Sequence, residues 1–182
     1  MFRFLMVCAF ALSLSAGESD QPRVEAGVVL GGLRESLFRE YPVVGGGRVS
    51  VHTFRFVDAE VEVNRFPIGD AASSYPATQA LFGLRAGRRI GNLGIYGKLR
   101  PGFISFDSNP YVPALGRRAA LDAGGILELY SRHHVAARLD LGDTVVWYGK
   151  ELVIPALSGI GGRLTAGTRH QLQWSVGLSV WF

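Results

Sequence analysis

The chain has 182 residues, 48% of them hydrophobic and 19% charged, with 24 glycines, one cysteine and a formal net charge of +4. That is the length of one domain, and the apolar content excludes disorder while the lack of a Gly-x-y period excludes collagen. The balance is only mildly basic and no Lys/Arg run interleaves with aromatics, which excludes a nucleic-acid partner.

Residues 1–17 carry one positive charge at Arg3, an apolar run from Phe4 to Leu14, and then Ser15, Ala16 and Gly17. This order predicts a cleaved secretory signal, with the mature domain over 18–182. The apolar run falls short of the roughly 20 residues a membrane-spanning helix needs. Cys8 is preceded by Val7 and makes a poor lipidation site, and it leaves with the signal. A mature chain without cysteine suits an exported protein that needs no disulfides.

From Val24 onward the dominant pattern is a period of two. The first segment sets Val24, Ala26, Val28 and Leu30 against Glu25, Gly27, Val29 and Gly31. The second sets Val49, Val51 and Thr53 against Arg48, Ser50 and His52, and the third sets Val57, Ala59, Val61 and Val63 against Asp58, Glu60, Glu62 and Asn64. In the fourth, Ala80, Phe82, Leu84 and Ala86 oppose Gln79, Leu81, Gly83 and Arg85. The fifth has Leu93, Ile95, Leu99 and Phe103 opposite Tyr96, Lys98, Arg100 and Gly102. In the sixth, Leu121, Ala123, Leu127 and Leu129 face away from Asp122, Gly124, Ile126 and Glu128. The seventh opposes Val135, Ala137, Leu139 and Leu141 to Arg138, Asp140 and Gly142. The eighth puts Leu172, Trp174, Val176, Leu178, Val180 and Phe182 on one face.

Connections after the second, fourth and sixth segments are short, whereas those near 34–45, 67–77, 107–119 and 149–167 are long. An even strand count with alternating short and long connections predicts an all-β, eight-stranded, antiparallel up-and-down transmembrane barrel, with tight turns and both termini on the periplasmic side. Three features turn the apolar face outward rather than inward. Nine glycines sit on the polar face against two, Gly97 and Gly125, on the apolar one, as a narrow eight-stranded lumen requires. The polar face mixes both signs, so that Glu25, Arg48, Glu60, Glu62, Arg85, Lys98, Arg100, Asp122, Glu128, Arg138 and Asp140 would pair as a charge network in the lumen. Aromatics gather at segment ends, with Phe54, Phe56 and Phe182 at one rim and Phe66, Phe103, Phe106 and Trp147 at the other, as two interfacial girdles would. Pro101 predicts a bulge or a missing ladder bond, and Asp143 falls on the lipid face if the seventh segment keeps its phase, which places it above the hydrocarbon.

A signal-like start, eight alternating segments, the hairpin GGGRVSVHTFRFVDAEVEVNRFP and the ending QLQWSVGLSVWF make the chain resemble the OmpA-type and OmpX-type small outer-membrane β-barrels. The resemblance implies an outer-membrane location, periplasmic chaperones, and contacts with lipopolysaccharide. It also implies insertion by the barrel-assembly machinery, reading the terminal signal Trp174, Val176, Leu178, Val180 and Phe182.

Catalytic signals are weak. His52, His133, His134 and His170 are the histidines, and His170, near Arg169 and Ser158, is the one arguable base, without a nucleophile placed beside it by sequence. The His133-His134 pair lacks a nearby Cys or carboxylate for a metal, and Gly45–Gly47 and 159–162 are not phosphate loops. No cofactor is expected. The expected role is that of a monomeric, non-enzymatic barrel with a plugged lumen, acting through its external loops. Those loops carry Leu37, Phe38, Tyr41, Tyr111, Val112 and 152–157 as apolar tips. A narrow porin-like channel is the alternative, followed by a lipid-modifying enzyme and a soluble lipocalin-like carrier.

Overall fold

The computed structural model describes residues 24–34, 43–66, 76–107, 116–131, 133–149 and 167–182 in full, and the backbone of 152–154 and 162–164. The signal segment 1–17 and the loop residues Leu37, Phe38, Tyr41, Tyr111, Val112 and Ser158 lie outside the described residues.

Alternation along each segment becomes a strand: β1 (Val24–Arg34), β2 (Val43–Phe54), β3 (Val57–Phe66), β4 (Ala77–Ile90), β5 (Leu93–Phe106), β6 (Arg117–Tyr130) and β7 (Val135–Gly149). A short pair, β8 (Leu152–Ile154) and β9 (Gly162–Leu164), forms its own two-stranded sheet within the fourth long connection, and β10 (Gly167–Trp181) ends the chain. Every neighbouring pair is antiparallel, and the order β1-β10-β7-β6-β5-β4-β3-β2 closes on itself through Val28↔Leu178 on one side of β1 and Val28↔Gly47 on the other. Closure leaves the barrel itself without an unpaired edge. The expected eight-stranded antiparallel barrel is therefore what the chain forms.

The short turns follow their residues. β4 and β5 meet at Ile90↔Leu93, leaving Gly91 and Asn92 as the loop, and Gly91 takes the positive φ of 60° that a side chain would resist. Between β6 and β7 the left-handed position is filled by His134, with φ 60°, whose ring lies 4.5 Å from that of Trp181 and whose carbonyl accepts the Trp181 N–H at 2.9 Å. At the β2–β3 turn the register shifts between His52 and Phe54, which bulges Thr53.

Pro101 costs the ladder pairs and not the register. Its β6 side stays paired through Pro101↔Leu121, while on the β4 side the pairing skips from Leu81↔Gly102 to Leu84↔Leu99 without a shift. A missing bond results, and no bulge.

The outer face is mostly apolar, interrupted at Asp143 and His170. Val28, Leu30, Phe82, Leu84, Leu99, Leu129, Leu141, Leu172, Leu178 and Phe182 all point away from the barrel and are more than half exposed. A contiguous apolar surface of this extent is far beyond what water covers cheaply. Aromatic positions at the rims need one correction. Phe54, Phe56, Trp147 and Phe182 do face outward, and Phe103 lies half-exposed beneath the Arg117 guanidinium at 4.4 Å. Phe66 and Phe106, expected in the outer girdle, are buried inside. Their positions share the parity of Asp58 and Lys98 on their own strands, so the period of two turns both rings into the barrel.

Candidate functional site in the barrel interior

Inward-facing residues stack along the barrel axis in layers of changing chemistry. At the short-turn mouth the layer is aromatic and cationic. The Arg89 guanidinium lies 4.4 Å from the Tyr130 ring and 5.7 Å from that of Trp181, and its Nε donates to the Gly91 carbonyl at 2.7 Å. Tyr130 donates its hydroxyl proton to Glu128, so Tyr96, 3.2 Å away, donates to Tyr130.

Above the mouth comes an ionic layer. All eleven charged residues expected in the lumen are buried there, joined by Asp58. Arg85 bridges three strands: its Nε donates to Asp58 at 2.7 Å, Nη2 to Glu25 at 2.9 Å, and Nη1 to Glu128, with the Tyr96 ring 4.7 Å from its Cζ. Arg138 grips Glu60 with both terminal nitrogens, a bidentate geometry, and Nη2 also reaches Asp140 at 2.8 Å. Arg100 spans the centre. It meets Glu60 at 2.6 Å, Glu62 at 2.8 Å, Asp122 through Nε at 2.8 Å, and Asp140 at 3.5 Å. Lys98 adds bonds to Asp122 and Asp140.

Seven buried carboxylates face five buried cations, and neutral donors take up the surplus. Ser50 donates to Glu60 at 3.0 Å, Asn64 to Glu62 at 2.7 Å, Ser179 to Glu25, and the His52 ring meets Asp58 at 2.7 Å. Each carboxylate thus has several partners, which a buried charge needs if it is not to cost several kcal/mol. Arg48 is the exception. Its nearest acid is Glu25 at 3.8 Å, and none of its three guanidinium nitrogens has a hydrogen-bond partner.

Uncharged polar groups follow next. Asn64 donates to Gln79 at 3.1 Å, Gln79 to Gln173 at 3.3 Å, and Thr144 to Gln173 at 2.9 Å. At the long-loop end the interior turns apolar: Leu33, Val44, Phe66, Ala77, Ile104, Phe106, Ala120, Val146 and Tyr148 form one buried cluster. The Phe106 and Tyr148 rings lie 6.1 Å apart, and Gln171 donates to the Tyr148 hydroxyl at 2.8 Å. The amide layer grows from Asn64 and Gln79, which the alternation puts on the inward face, whereas the apolar cap is reached only by continuing the inward phase of each strand to its long-loop end.

Glycines let the walls approach. A Cβ on Gly124 would lie 2.1 Å from the Leu141 carbonyl oxygen and 2.5 Å from the Gly142 Cα. Backbone cannot yield as a flexible side chain can. Gly124→Ala should therefore cost about 1–3 kcal/mol, read as a lower urea midpoint for unfolding from vesicles.

Outside the barrel, β7 keeps its phase to Gly149, so Asp143 does face outward, and its carboxylate meets His170 Nδ1. A carboxylate on the lipid face costs less than the about 2–4 kcal/mol of an Arg or Lys at mid-depth, and the histidine partner reduces that cost. No nucleophile contacts His170 among the described residues. Nor is any cluster of His, Cys, Asp or Glu among them placed to hold a metal ion. At the external rim, Arg65 joins Asp107 and Thr78, and its hydrogen bonds hold the Asp107 carboxyl below the usual carboxylate range. That pair is open to solvent and adds little stability. The expected assembly-signal residues Trp174, Val176, Leu178, Val180 and Phe182 line the outer face of β10, with Gly32 of β1 packed against the Trp174 ring.

No protein-family model matches the chain, and no curated protein does. Solved structures do. Neisserial surface protein A (NspA) superposes with a TM-score of 0.58 at 13% identity, over 87% of this chain and 96% of that one. The N-terminal β-barrel domain of Pseudomonas aeruginosa OprF gives 0.48 at 15% identity, over 87% and 99% of the two chains. A de novo designed transmembrane β-barrel gives 0.48 at 14% identity, over 91% and 100%. The likeness to NspA is one of fold: this chain is built as the same kind of small barrel.

Proposed function

We propose that the chain is an integral outer-membrane barrel, exported by cleavage of residues 1–17, whose interior is a plug and whose external loops make its contacts. One observation carries this reading: polarity is inverted, with an apolar outer face around an interior of buried, mutually paired charges. A soluble barrel has the opposite arrangement, so the soluble-carrier alternative loses its basis. The fold shared with a neisserial surface protein supports a cell-surface location. Lipopolysaccharide around the external rim, periplasmic chaperones and a barrel-assembly machinery that reads β10 up to Phe182 belong to the same proposal, as does a monomeric state.

The plug distinguishes a structural role from a narrow channel. A continuous pore needs a wet path, and here the axis is crossed by the Arg89–Tyr130–Trp181 stack, the Arg85, Arg100 and Arg138 layer, and the Phe106–Tyr148 cap. Planar bilayers containing the purified protein should show no steady conductance. A steady conductance that changes in Arg85→Ala or Glu60→Ala would replace the plug with a channel.

A further inference from the structure

Charge is shared unequally between the two ends of the barrel. The short-turn segments 53–56, 88–92 and 131–134 contain Arg55, Arg88, Arg89 and Arg132 and no aspartate or glutamate. Arg132 lies outside the described residues, and Arg89 is committed to the interior stack. That leaves Arg55 and Arg88.

The register brings these two together. The Phe56 carbonyl accepts the Gly87 N–H at 2.9 Å, which carries the β3–β4 ladder one step beyond Val57↔Ala86. One residue further along each chain stand Arg55 and Arg88. Both are exposed, and among the described residues neither is joined to an acidic side chain. Arg55 stands in the β2–β3 turn and Arg88 near the end of β4, and two like charges held this near each other repel, while a guanidinium cannot shed its proton to escape. The surroundings are apolar: the Phe54 and Phe56 rings are 70% and 52% exposed, Arg55 lies over the Phe56 ring at 5.2 Å, and the β5 partner of Arg88 is the outward Ile95.

We propose that Arg55 and Arg88 form a clamp for the phosphodiester of an anionic phospholipid, whose acyl chains lie on the outer face beside Phe56, Ala86 and Ile95. Two guanidiniums present forked donors that match phosphate oxygens, and one negative headgroup offsets their mutual repulsion. The rings supply the level, since aromatic side chains settle where headgroup meets hydrocarbon. This inference rests on the membrane reading above.

The test uses the full chain refolded into mixed phosphatidylcholine and phosphatidylglycerol vesicles, released into mild detergent, with retained lipids counted by native mass spectrometry. The wild type should retain phosphatidylglycerol in preference to phosphatidylcholine. In Arg55→Gln/Arg88→Gln the preference should fall by about tenfold or more, given the usual gain per basic residue at an anionic surface. Arg55→Lys/Arg88→Lys should keep much of it, and Arg117→Gln at the opposite rim should leave it unchanged. Inorganic phosphate should not displace the lipid, since it offers nothing to the apolar flank. An unchanged preference in the double glutamine variant, or equal displacement by phosphate, would overturn the clamp. A heat-dependent gel shift on every sample reports the barrel separately. A wild type that never inserts and never shifts fails at the membrane reading and takes the clamp with it.

Discussion

Replacing Arg100 by methionine should destabilise the folded barrel by about 3–5 kcal/mol, seen as a large drop in the urea midpoint for unfolding from vesicles. Arg100 is 1% exposed and holds carboxylates on three strands, β3, β6 and β7. Its loss is not evenly felt. Glu60 keeps Arg138, and Asp122 and Asp140 keep Lys98, whereas Glu62 is left, among the described residues, with Asn64 alone. Adding Glu62→Gln to Arg100→Met should therefore recover part of the deficit, and the double-mutant cycle isolates the coupling. Arg100→Lys should recover less than its charge suggests, because a single ammonium cannot fork toward Glu62 and Asp122 at once. A loss below about 1 kcal/mol, in the range of solvated surface pairs, would mean that water reaches this layer.

The second large effect is expected at the cap. Tyr148→Ala removes a fully buried ring and should cost about 3–5 kcal/mol, again read from the unfolding midpoint. Its effect on permeation should be nil, because the amide and ionic layers still cross the axis beneath it. Planar-bilayer recordings separate the two readouts. A conductance that appears on Tyr148→Ala alone would make the cap the sole barrier and the layers below it a hydrated path.

Unlike the β8–β9 pair inside the fourth long connection, the eight barrel strands and the inward set of charges are legible in the chain for one physical reason. Each depends only on parity along a strand, and parity survives without knowledge of neighbours. Pairing across the barrel is different. That Arg138 meets Glu60, and that Asp143 meets His170, follows from the stagger of strands remote in sequence, which no local pattern encodes. Phe66 and Phe106 illustrate a further failure. Nearness to a strand end suggested an interfacial ring, but counting by two from Asp58 and Lys98 puts both rings inside. Tyr148 and Ile104 lie beyond Asp143 and Phe103, where the face assignment of their segments ends, so the inward phase must be carried further along β7 and β5 to reach them.

The bond from Ser179 to Glu25 joins the last strand to the first, and Arg85 reaches the same carboxylate from β4. Gln173, also on β10, closes the amide layer against Gln79 and Thr144. A chain that stops short of β10, or one caught before its ends meet, leaves Glu25 without Ser179 and Gln79 and Thr144 without Gln173, so that their remaining bonds to Arg85, Asn64 and Asp122 satisfy them only in part. The interior thereby acts as a completeness check: it penalises every partial cylinder and rewards only the closed one, so that proofreading of assembly is written into the polar groups themselves.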